Sequence, residues 1–164
     1  MFTTFGRKGK RRGIVDDSAQ EDAGMLNISE AGALALHATV YLASGNGRKI
    51  STKELAGELR ASRAHLSKVL QRLARYDLVD STPGPGGGFV LCRPPEEVSL
   101  LDVYEAAEGP LESKDCLFEE PVCDGNECIF GGLLGNIDEQ MKERLKAKNL
   151  SELTGTFSAA EKAE

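Results

Sequence analysis

Six consecutive residues, Pro83-Gly84-Pro85-Gly86-Gly87-Gly88, are all proline or glycine. No regular helix or central strand runs through such a stretch, because proline lacks the amide donor and glycine loses the most backbone freedom on ordering. The chain must turn here. Its flanks, Leu78-Val79-Asp80-Ser81-Thr82 and Phe89-Val90-Leu91, suit strands, so the run is the tip of a β-hairpin. A nucleotide-phosphate loop is excluded locally, since neither a Lys-Ser/Thr pair nor a helix start follows the glycines.

What precedes the hairpin fixes the fold class. Ser62 is an N-cap for a helix from Arg63 to Arg75, in which Leu66, Val69, Leu70 and Leu73 share one face. Arg63, His65, Ser67, Lys68, Gln71 and Arg72 stand between and opposite them. A shorter helix, Thr52 to Leu59, follows Ser51, with a break at Ala61-Ser62. Two short helices with a tight turn and a basic outer face form a helix-turn-helix, and the hairpin after it makes a winged helix. The expected class is mainly α with a small β-hairpin, plus a long helix for dimerisation.

The rest of the chain falls into place around this unit. Residues 1–24 pair a basic run, Arg7 to Arg12, with the acidic stretch Asp16 to Asp22, and carry too little apolar surface to offset ordering. They are expected to be a tail. The winged-helix domain spans 25–110, opening with a helix capped by Ser29 and ended by Gly45-Asn46-Gly47, and closing with a short helix over 99–107. A loop with three cysteines covers 111–132. Residues 133–150 hold an amphipathic helix striped by Ile137, Met141 and Leu145, and 151–164 form a C-terminal tail. A long helix with one apolar stripe outside the compact domain needs a partner, and a second copy of the chain is the simplest one.

Charge bears on the partner class. The 164 residues carry a net −6, which on its face disfavours nucleic acid. Divided along the chain, residues 51–93 hold seven basic and four acidic side chains, whereas 94–164 hold six and seventeen. The helix-turn-helix and wing are therefore net positive, and double-stranded DNA is the expected partner. Arg63, His65, Ser67, Lys68 and Arg72 are the candidate contacts of the recognition helix, and Arg60 in the turn is a phosphate candidate. Gly84, Gly86 and Gly87 let the wing backbone approach a sugar–phosphate strand. No apolar run approaches the roughly 20 residues of a membrane span, and the first residues lack the apolar core of a secretory signal. A cytoplasmic protein is expected. An enzyme is not, because no Ser/His/Asp set or paired-carboxylate cleft appears and His37 and His65 are the only histidines.

Cys92, Cys116, Cys123 and Cys128 complete the inventory, the last three within thirteen residues. A reducing compartment argues against a disulfide framework. Metal chemistry, a redox switch and inert thiols stay open on these residues alone. Cys92, at the end of a wing strand, reads as a small buried residue, and His37, inside an apolar stretch, as a partly buried core histidine.

The stretch from Leu26 to about Leu153 resembles the Rrf-two family of bacterial winged-helix regulators. The resemblance is carried by Ala35-Leu36, by Ser51-Thr52-Lys53-Glu54-Leu55-Ala56, and by Leu66-Ser67-Lys68-Val69-Leu70-Gln71-Arg72-Leu73. Gly84-Pro85-Gly86-Gly87-Gly88-Phe89 and Val98-Ser99-Leu100-Leu101-Asp102-Val103 extend it. It implies a homodimer on a palindromic operator, each recognition helix in a major groove and each wing in a minor groove. In members that keep three cysteines these hold an iron–sulfur cluster, 2Fe–2S or 4Fe–4S, whose state changes DNA affinity. The resemblance thus implies Cys116, Cys123 and Cys128 as ligands, with His37 as a possible fourth, since some members draw a ligand from the first helix of the opposite subunit. Wide cysteine gaps suit a cluster better than the paired spacing of a zinc site. Two departures are plain: Pro83 stands where the family often has an arginine, and the gaps between cysteines enclose six and four residues rather than about five each. The expected function is a DNA-binding transcriptional repressor controlled by the cluster. The alternatives are a winged-helix regulator controlled by thiol oxidation or a partner protein, and a small electron-transfer iron–sulfur protein.

Overall fold

The computed structural model describes residues 28–111, 116 and 129–157. Among these, helix α1 (Glu30–Ser44) is the centre of the fold, with Leu34, Ala35, Ala38, Thr39, Val40, Leu42 and Ala43 all buried. A helix apolar on most sides must be covered on most sides. It packs against α3, α4, the second wing strand and the segment after the last helix. Thr39, the buried polar residue of this core, satisfies its hydroxyl by donating to the carbonyls of Ala35 and Leu36, both at 3.0 Å.

Helices α2 (Thr52–Glu58) and α3 (Arg63–Arg75) begin where the sequence places their caps. Ser51 Oγ accepts from the Glu54 amide at 3.1 Å, and Ser62 Oγ from that of His65 at 3.5 Å. Leu66, Val69, Leu70 and Leu73 are buried, as their spacing requires. Strands β1 (Val79–Thr82) and β2 (Gly88–Leu91) pair antiparallel, with Val79 opposite Leu91 and Thr82 opposite Gly88. The sheet gains one bridge that the sequence does not announce. Ile50, fully buried, exchanges both backbone hydrogen bonds with Phe89, at 2.9 and 2.8 Å. This roots the wing on the start of α2. It also explains Gly88, where a Cβ would lie 2.5 Å from the Ile50 carbonyl oxygen.

Helix α4 (Leu100–Glu108) opens with a full capping box, Ser99 and Asp102 each satisfying the other's amide. Helix α5 (Leu133–Lys146) is amphipathic as expected, yet no residue of it is buried. The segment that follows, which the sequence reads as a C-terminal tail from residue 151, instead forms a 3₁₀ helix over Leu150–Thr156. Leu150 is fully buried, and Phe157 sets its ring edge-on to Tyr41 of α1 at 5.3 Å and 83°. A backbone bridge between Ser99 and Asn149, flanked by the Leu100-to-Lys148 and Leu150-to-Val98 hydrogen bonds, ties the base of α5 to that of α4. Among the described residues no helix is long and apolar enough to cross a membrane.

Candidate nucleic-acid interface

The exposed side of α3 is built by exclusion. Its buried arc is filled by four aliphatic residues, so Arg63, Ala64, Lys68, Gln71, Arg72 and Arg75 are left facing outward, with Ser67 half-buried among them. Gln71 and Arg75 lie near the middle of this face. The sequence reading does not name them as contacts, although their i, i+4 relation to Ser67 and Gln71 places them there. His65 sits at the edge of the face and turns away from it. Its Nδ1 lies 3.4 Å from Glu30 Oε2 at the start of α1.

Electrostatics separates α3 from the other helices of the domain. Glu30, Glu54 and Asp102 place an acid in the first turn of α1, α2 and α4, where it meets the positive end of the helix dipole. The first turn of α3 has no acid and starts with Arg63. Arg60, Arg63 and Lys68 form no ion pair among the described residues, whereas Arg48 grips Glu54 with both guanidinium nitrogens, at 2.6 and 3.1 Å. That fork lowers the Glu54 pKa and raises that of Arg48. Arg72 and Arg75 lie in the last turn of α3, where cations also complement the dipole. The N-terminal cations have no such internal partner.

The wing tip is shaped by glycine where no other residue fits. The Gly87 amide donates to the Gly84 carbonyl at 3.0 Å, closing a turn with Pro85 and Gly86 at its centre and Gly86 at φ +76°. Proline followed by a left-handed glycine is the pattern of a type II turn. A Cβ on Gly87 would lie 2.1 Å from the Thr82 carbonyl oxygen. Gly84 and Gly86 are exposed with open space around them.

Of the cysteine loop, Cys116 is described and is half-buried, while Cys123 and Cys128 lie outside the described residues. Two expectations are corrected. Cys92 is exposed at the wing root rather than buried, because it follows Leu91, the last residue that β2 pairs with β1. Partial burial, then Asp80 and Asp77, push its thiol pKa up, the wrong direction for a reactive thiolate. His37 is exposed on α1 rather than part of the core. Its Nδ1 lies 2.7 Å from the Ala33 carbonyl oxygen. With Nδ1 engaged by this carbonyl, Nε2 is the ring nitrogen left to face a ligand. Among the described residues no three His, Cys, Asp or Glu side chains converge as a metal site.

The sequence over residues 28–156 matches the Rrf2 family, described as iron-dependent transcriptional regulators. The chain belongs to the Rrf2 family. Among Rrf2 regulators, it is 28% identical over 114 residues to the HTH-type transcriptional regulator IscR of Sodalis glossinidius, a match covering 70% of this chain and 68% of that one. It is 33% identical over 97 residues to the regulator NsrR of Shouchella clausii, covering 58% of this chain and 62% of that one. Among solved structures, CymR, the global cysteine regulator of B. subtilis, superposes with a TM-score of 0.67 at 28% identity, covering 80% of this chain and 98% of that one. The Rrf2 winged-helix architecture is therefore the fold of this chain.

Proposed function

We propose that this Rrf2 protein is a DNA-binding repressor that acts as a homodimer on a palindromic operator, its affinity set by an iron–sulfur cluster on Cys116, Cys123 and Cys128. The observation that carries the DNA reading is the start of α3. It is the helix of the winged unit whose first turn holds an arginine in place of an acid, and Arg60, Arg63 and Lys68 around it lack an internal counter-charge. A nucleic-acid backbone supplies that charge. Arg63, Ser67 and Gln71 then face base edges, Arg60, Lys68 and Arg72 the phosphates, and Gly84, Gly86 and Gly87 bring the wing backbone to the adjacent groove. His65, paired with Glu30, holds the start of α3 against α1.

The donor chemistry suits a cluster. Thiolates are its usual ligands, Cys116 is half-buried rather than solvated, and His37 offers Nε2. When bound, the cluster supplies a redox-sensitive charge. The chain's own residues supply the coupling, because α4 leads into the cysteine loop at one end and packs on both α1 and α3. Ser29 at the start of α1 donates to Glu108 at the end of α4, joining the helix of His37 to the loop's entrance. A second reading, in which thiol oxidation or a partner protein replaces the cluster, draws support from the similarity to a global cysteine regulator.

Anaerobic purification with a visible absorption spectrum, iron and acid-labile sulfide assays, and the Cys123→Ala variant separates the two. A coloured protein bleached by the substitution is expected. A colourless anaerobic preparation without iron or sulfide overturns the cluster. For the DNA reading, a salt-dependent mobility shift of a palindromic duplex is expected, and its absence in both apo and loaded protein overturns it.

A further inference from the structure

We propose that Arg60 is a phosphate anchor built into the cap of α2, and that the chain sacrifices fold stability to hold it at the entrance of the recognition helix. This rests on the DNA-binding reading above and adds a specific role and cost to one residue of it. The backbone around Arg60 forms a Schellman cap. The Ala61 amide donates to the Ala56 carbonyl at 2.9 Å and the Arg60 amide to that of Gly57 at 3.3 Å, which places Arg60 in the left-handed position at φ +51°. Glycine is the usual occupant of that position, because a Cβ there is strained.

Two neighbouring helix ends show what a less costly solution looks like. Asn46 at φ +48° and Asp77 at φ +53° close α1 and α3 in the same region. Asparagine and aspartate are strained less there and visit the region several-fold more often than other residues. An arginine has no such compensation. Nor does Arg60 recover the cost elsewhere in the molecule. It is exposed, and among the described residues its guanidinium makes no hydrogen bond or ion pair.

Its position says what the guanidinium is for. Arg60 lies two residues before the Ser62 cap and three before Arg63, on the turn between the helix that crosses the DNA backbone and the helix that enters the groove. The dipole of α3 adds positive potential at the same end, and its own first turn holds no acid, the nearby Glu30 being paired with His65. A guanidinium fixed there by a rigid cap meets a phosphate without further ordering of the loop. A left-handed backbone held against preference at such a place is the kind of strain that accompanies function.

The test uses the full chain, with R60G and R60K, a duplex selected from a random pool by the wild-type protein, and an unrelated duplex of equal length. R60G should raise the melting temperature by roughly 2–4 °C. It should weaken binding to both duplexes and reduce the steepness of log K against log salt by about 0.9 per bound protomer. R60K should keep the wild-type slope and gain no melting temperature. Wild-type slope and affinity in R60G overturn the anchor, and an unchanged or lowered melting temperature overturns the stability cost. If the wild type binds neither duplex at any salt, the DNA reading and this inference fall together, whereas a normal wild-type shift with an indifferent R60G sinks only the inference.

Discussion

Helices α3 and α5 carry the same kind of sequence and meet different fates. Both are amphipathic, of thirteen and fourteen residues, with an aliphatic stripe at helical spacing. In α3 the stripe is buried within the chain by α1, α2 and α4. In α5 no residue is buried, and Ile129, Phe130 and Leu133 are exposed at its entrance. Their polar faces differ too. That of α3 has four basic residues and no acid, whereas α5 interleaves Asp138, Glu139 and Glu143 with Lys142, Arg144 and Lys146. An apolar stripe therefore states that something must cover it, and the charge opposite states what the exposed face will tolerate. Neither tells whether the cover comes from the same chain.

The largest effect should come from emptying each stripe in turn. Leu70→Ala removes a fully buried side chain and should cost about 2–5 kcal/mol of unfolding free energy in chemical denaturation. Ile137→Ala on α5 should cost under about 1 kcal/mol at high dilution. If Ile137 proves as costly as Leu70, with a midpoint that rises with protein concentration, its stripe is buried by a second copy. Next come the charges. Arg63→Ala should lose about 1–3 kcal/mol of specific DNA binding by titration, while Lys142→Ala should leave binding unchanged. Equal losses would erase the electrostatic difference between the two helices.

The caps give a smaller contrast. Ser99→Ala, which breaks the capping box of α4, should lower stability by about 1 kcal/mol, and Ser62→Ala, with its longer 3.5 Å bond, by less. The start of α5, at Gly132 with no side-chain cap, has nothing comparable to lose. The smallest effect is acid titration. Hydrogen bonding to Arg48 depresses Glu54, and hydrogen bonding to Lys148 depresses Glu152. A depressed carboxylate contributes stability that is present above its unfolded value of about 4.5 and lost as pH falls through the lower folded one. Thermal melts from pH 6 down to 3 should show a slight loss that sets in near the ordinary glutamate value and completes below it, reduced in Arg48→Ala. Helix α3, with no carboxylate, should contribute none of it.

Much of this was legible residue by residue. Ser29, Ser51 and Ser62 mark their helices because a hydroxyl before an apolar periodic run satisfies amides that nothing else in the segment can. The hairpin was legible because six glycines and prolines admit little else. The bridge from Ile50 to Phe89 was not, since a single backbone pair leaves no periodicity in sequence. The 3₁₀ helix at 150–156 was hidden for a similar reason, its anchors Leu150, Leu153 and Phe157 being too few to form a pattern. His37 and Cys92 misled in one way: an apolar neighbourhood along the chain does not fix which way one side chain points.

Local chemistry alone thus determined most helix starts, the wing, the basic face of α3 and the family. These rest on interactions within a few residues, or on repeats that a linear sequence displays. Tertiary structure decided which stripe is covered inside the chain, where the wing is rooted, which histidine faces outward, and that Arg60 occupies a position meant for glycine. Those outcomes depend on contacts between residues far apart in sequence and on the sign of one backbone angle, and no run of side chains encodes either by itself.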